Sequence, residues 1–172
     1  MRGIWIGLAL ALAAPAAWAQ TQQLHDWCYG PTATDDQTID GCTALIQSAR
    51  STSRVKAAAY DNRGFAYEDK GLNDLAIADE NQALALNPNS ANAYDNRGIA
   101  YDNKGFYAQA IADYTRAITL KPDFAGPHDN RAIVYEKMGL RDQAVADYRA
   151  ALKVKPSLQP ARDALTRLGA TP

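Results

Sequence analysis

The stretch Asp61-Asn62-Arg63-Gly64 returns as Asp95-Asn96-Arg97-Gly98 and again as Asp129-Asn130-Arg131-Ala132, a period of 34 residues. Working outward, the register holds for Tyr67/Tyr101/Tyr135, Gly71/Gly105/Gly139, Ala76/Ala110/Ala144, Ala83/Ala117/Ala151 and Pro88/Pro122/Pro156. A period of this length marks a helical solenoid, in which no single unit buries its apolar face alone. Such folds present extended surfaces rather than closed catalytic pockets.

Each unit reads as two helices. In the first, Ala57 to Lys70 sets Tyr60, Gly64 and Tyr67 on one face at three- and four-residue steps. Gly71 ends that helix, because glycine takes the left-handed conformation cheaply. Asn73 or Asp74 is the expected cap of the second helix, which runs to about Leu86 and stops at Asn87-Pro88. Gly64/Gly98/Ala132 and Ala76/Ala110/Ala144 are small so that the paired helices approach closely.

With these columns in place, the chain resembles the tetratricopeptide repeat (TPR) family. The motif residues are Tyr60/Tyr94/His128, the glycine, tyrosine and alanine columns above, Glu80/Tyr114/Tyr148 and the prolines. The resemblance implies an all-α, right-handed superhelical solenoid. Its units are 57–90, 91–124 and 125–158, and the first helices line a concave face that binds an extended peptide or a partner's helix. His128 for an aromatic residue and Glu80 for tyrosine are the departures.

The flanks read as caps. Residues 20–56 form an N-terminal arm and a degenerate second helix over about Asp35 to Arg50, whose Ile39 to Ile46 echoes Ile111 to Ile118. Residues 159–172 hold an end helix and tail, with Ala161, Leu165 and Leu168 on one face, making eight helices expected in all. Met1-Arg2, the apolar run from Ile4 and the small-x-small Ala17-Trp18-Ala19 read as a secretory leader over residues 1–19, cleaved after Ala19. The rival membrane anchor needs roughly 20 residues, and Ile4 to Ala19 is 16. An exported chain, periplasmic or secreted, with no membrane span is the expectation. In that compartment Cys28 and Cys42 read as a disulfide; the alternative redox pair lacks the Cys-x-x-Cys spacing.

A formal net charge of −1 offers no basic face for nucleic acid. No phosphate loop, dinucleotide fingerprint or metalloprotease motif is present, so no cofactor, metal or catalytic residue is expected. Paired carboxylates such as Asp95 and Glu136 would need a dry cleft to act as acid and base.

Three columns carry the functional reading. Arg63, Arg97 and Arg131 stand 16 residues before Asp79, Asp113 and Asp147, which predicts an ion pair inside each hairpin rather than an anion grip. By the resemblance, Asn62, Asn96 and Asn130 sit where the family clamps peptide main chain; bonding within the helix or to solvent is the other reading. Asp61, Phe65, Glu68, Asp69, Asp95, Ile99, Asp102, Asp129, Ile133 and Glu136 fall beside them. This face should prefer a basic or neutral ligand with apolar anchors. A solvated charged face, with those apolar groups tucked between helices, is the competing interpretation. The function expected is that of an interaction adaptor or scaffold of the bacterial cell envelope; the alternative is an oligomerisation module joined through its end helices.

Overall fold

The computed structural model of the chain describes residues 13–171, so most of the expected leader lies outside the described residues. Those residues are all-helical: α1 (Ala13–Tyr29), α2 (Asp35–Gln47), α3 (Ser53–Asp69), α4 (Asn73–Leu86), α5 (Ala91–Asn103), α6 (Tyr107–Leu120), α7 (Ala125–Lys137), α8 (Arg141–Val154) and α9 (Gln159–Arg167). Each helix packs on its sequence neighbour, and α1, α3, α5 and α7 also touch one another in order. The second helices make no comparable contact, so the stack curves toward the face built by the first helices.

Nine helices stand where eight were expected. The addition is α1, which pairs with α2 as a further hairpin where the sequence suggested only an arm. Gly41 permits this: a Cβ there would lie 2.6 Å from the Leu24 carbonyl oxygen and 2.8 Å from the Cys28 nitrogen. Cys28 and Cys42 are buried at that crossing and form a disulfide. Thr34 starts α2 with a capping box completed by Gln37.

The stops repeat. Gly71, Gly105 and Gly139 have φ of 71°, 75° and 74°. Each is followed by a residue whose N–H reaches back to the tyrosine column, as Leu72 does to Tyr67 at 2.8 Å. That turn is so short that Leu72, Phe106 and Leu140 become the N-caps of α4, α6 and α8, without a side-chain bond. The expected Asn73 or Asp74 cap is therefore incorrect; Asn73 instead donates to the Gly71 carbonyl. The first helix also begins earlier than Ala57, at Ser53, because Thr52 accepts the Val55 N–H.

The core is thin and made of small residues. A Cβ on Gly98 would lie 2.6 Å from the Tyr114 ring, and one on Gly64 2.6 Å from Glu80 Oε1. Tyr114 and Tyr148 are among the largest fully buried side chains. At the far end α9 closes the stack, with Ala161, Ala164 and Leu165 buried against Ala132, Ala144 and Tyr148.

Candidate peptide-binding groove

Building the inner face from the chain upward begins with the arginines, which hold it in shape. Arg63 grips Asp79 with two bonds of 2.7 and 2.9 Å. Arg97 holds Asp113 at 2.7 and 2.7 Å, and Arg131 holds Asp147 at 2.7 and 2.8 Å. The remaining nitrogen reaches back to the preceding hairpin: Nη1 of Arg63, Arg97 and Arg131 donates to Thr43, Asn81 and Thr115 at 2.8, 2.6 and 2.7 Å. The guanidinium forks are thus directed into the solenoid, Arg63 and Arg97 between two tyrosine rings each and Arg131 over Tyr135. They brace one unit against the next rather than reaching toward a ligand.

The asparagine column is engaged too. Asn62 Nδ2 donates to the Cys28 carbonyl at 2.9 Å, Asn96 to Asp61 at 3.3 Å and Asn130 to Asp95 at 3.0 Å. One N–H of each amide is taken by the neighbouring unit. A second row runs parallel. Asn103 donates to Glu68 at 2.8 Å, Lys137 to both oxygens of Asp102 at 2.7 Å, and Arg167 to both oxygens of Glu136 at 2.8 Å. These rungs join residues 35 positions apart, except the last, where α9 supplies the donor.

The seven carboxylates of this face are therefore unequal. Burial raises the pKa of Asp61 and carries Asp95 to about 6, with the Asn96 and Asn130 amides opposing it. Asp129 is raised by burial as well, and Glu136 is held low by Arg167. Asp69 is exposed and faces Asp35, whose charge adds to the rise that partial burial gives it. Amide partners leave a carboxylate's charge in place, so only Lys137 and Arg167 offset charge within the two rows. The face remains acidic, but its acids also serve as joints.

Glu80 is the residue whose role the sequence did not reveal. It is fully buried, neither oxygen meets a donor among the described residues, and desolvation beside Asp61 lifts its pKa to about 11. It stands where Tyr148 donates to Glu136 at 3.1 Å. His128 is half-buried, with Nδ1 3.7 Å from Asp147 Oδ1. No cluster of three or more His, Cys, Asp or Glu side chains suited to a metal occurs among the described residues.

Between the two polar rows runs an apolar line at 34-residue spacing. Phe65 is 47% exposed, Ile133 37%, and Ile99 half-buried between them. No helix among the described residues is long and apolar enough to cross a membrane.

A tetratricopeptide-repeat model matches residues 57–90 and 127–158, and a second TPR model matches 103–139, together just over half of the chain. No curated protein matches significantly. Among solved structures, the TPR domain of Arabidopsis OM64 superposes with a TM-score of 0.67 at 24% identity, over 69% of this chain and 98% of that one. The first TPR of Spaghetti (RPAP3), bound to the HSP90 peptide SRMEEVD, gives 0.65 at 22% identity, over 67% and 92%. MamA gives 0.66 at 26% identity, over 90% and 78%. Matched by tetratricopeptide-repeat models over just over half of its length and carrying the helix-hairpin solenoid those structures share, the chain belongs to the tetratricopeptide repeat family.

Proposed function

We propose that the protein is an exported interaction adaptor that holds an extended basic or neutral segment of a partner on the face built by α3, α5 and α7. The observation that carries this reading is the line of Phe65, Ile99 and Ile133 between two polar rows. Phe65 and Ile133, open to solvent at either end of a line that Ile99 continues half-buried, offer anchors that the solenoid itself does not cover. The polar rows are held rigid by the rungs, so a ligand meets a preformed surface and less ordering entropy is lost on binding.

The acidic balance sets the ligand's sign. The HSP90 peptide in the Spaghetti structure carries two glutamates and an aspartate. Asp61, Asp95 and Asp129 on this face oppose such a sequence and favour its opposite. Export rests on the leader pattern in residues 1–19 and on the Cys28–Cys42 disulfide, which fits an oxidising compartment. Sequencing the mature N-terminus from the periplasmic fraction checks it, with Gln20 expected first.

Reversing the three aspartates would be a poor test of the groove, since Asp61 and Asp95 anchor rungs. Phe65→Ser with Ile133→Ser removes the exposed anchors and spares every rung. Crosslinking pull-down from the envelope fraction should lose its partner in this variant. Equal capture by both proteins would place the interaction elsewhere.

A further inference from the structure

We infer that the cavity between α7, α8 and α9 is a subsite for a basic side chain of the bound segment, an ammonium or guanidinium received by Asp129. This rests on the groove reading above and names its most specific contact. The cavity measures about 350 Å³ and is lined by Asp129, Ile133, Tyr148, Asp163, Ala164 and Arg167, among others.

The chain supplies its own control for this site. Asp61 and Asp95 each accept an amide N–H from the asparagine 35 residues on. Thirty-five residues beyond Asp129 stands Ala164, which has no donor to give. Asp129 Oδ1 is buried and meets no donor among the described residues. A carboxylate whose two equivalents are bonded thus lacks its rung, and the cavity that Asp129 lines is the side from which a donor outside the chain reaches the carboxylate.

Charge selects a cation over a plain amide. Arg167 is committed to Glu136 through two bonds of 2.8 Å, and among the described residues Asp163 accepts only from the neutral Gln159 amide at 2.8 Å. The lining therefore carries two carboxylates without a cationic partner. Ile133, exposed at the rim, gives the alkyl stem of a lysine or arginine an apolar seat, as such stems prefer.

The test is an NMR titration of the isotope-labelled protein with acetyl-Leu-Lys-Leu-amide, beside the Gln and Glu versions of the same peptide. The lysine peptide should move the backbone amides of Ile133 and Ala164, the glutamate peptide should not, and the glutamine peptide should bind about tenfold more weakly. Ala164→Asn, which keeps Asp129 but supplies the missing rung, should raise Tm and weaken the lysine peptide about tenfold. Asp129→Asn should weaken it similarly while leaving the fold intact by circular dichroism. Equal response to the lysine and glutamate peptides, or undiminished binding to Ala164→Asn, overturns the proposal. Shifts confined to Phe65 and Ile99 reject the subsite while leaving the groove standing, and no shift at any residue rejects the subsite.

Discussion

The first and third repeats share a backbone plan, yet one is built around an acid and the other around a phenol. In the third, Tyr148 fills the gap beside Ala132 and donates its hydroxyl to Glu136. In the first, Glu80 occupies the equivalent place against Gly64, protonated and without a donor from the described residues. The repeat tolerates this because its outline is fixed elsewhere, by Arg63 on Asp79 and by rungs to both neighbours. The lesson is that small-residue columns set helix spacing, while the filler between them tolerates wide chemical change at a cost in stability.

The largest expected effect comes from breaking a brace. Asp147→Ala leaves Arg131, whose side chain is only 17% exposed, without its carboxylate and should cost about 3 kcal/mol or more in urea unfolding. Asp79→Ala should cost a similar amount, because Glu80 beside it is protonated at neutral pH and carries no charge for Asp79 to repel. A markedly smaller loss would show that Glu80 is ionised in the fold. Replacing both Arg131 and Asp147 with apolar residues should be milder than Asp147→Ala alone, because no charge is then stranded.

Glu80→Gln comes next. A carboxyl raised from 4.5 to about 11 binds a proton in the fold that the unfolded chain releases. Stability is therefore full below pH 4.5 and declines as pH rises through neutrality. At pH 7 the penalty approaches about 3 kcal/mol, at 1.36 kcal/mol per unit. The glutamine variant should gain up to that amount and lose most of the slope, retaining a smaller decline between 3.8 and about 6 from Asp95. Chemical denaturation across pH 5 to 8 measures both, and an unchanged slope would contradict the burial of an ionisable acid there.

The expected helices for the three repeats and the last cap match the observed ones to within a few residues, because the 34-residue period fixes both registers at once. Less was visible at the N-terminus. α1 carries Gln20-Thr21-Gln22-Gln23 and none of the repeat's motif columns, so its helicity is set by packing on α2 across Gly41. The predicted pairs Arg63–Asp79, Arg97–Asp113 and Arg131–Asp147 are all formed. The rungs were legible in principle, since the aspartate and asparagine columns are adjacent and invariant among the three copies. They escape notice when each copy is read alone, because the bond joins one column to the next column of the following copy. Glu80 stands out in the sequence as a departure in a tyrosine column, but that its carboxyl is buried without a donor among the described residues emerges only once its neighbours are placed.

The smallest effect should follow Gly98→Ala. The new methyl would lie 2.6 Å from the Tyr114 ring, and Ala132 beside Tyr148 shows that a ring in this place accommodates one. Alanine's better helix propensity, worth about 1 kcal/mol, offsets the crowding, so the net change should stay within about 1 kcal/mol. A larger loss would mean that the central repeat packs more tightly than the third.

Site-specific photocrosslinking addresses the central claim most directly. A photoreactive phenylalanine analogue at Phe65 or Ile133, irradiated in intact cells, should trap the same partner from both positions. The same analogue at the exposed Ala112 of α6, away from the inner face, should trap none. Trapping from Ala112 and not from Phe65 or Ile133 would contradict the account, since the partner would then lie on the outer helices.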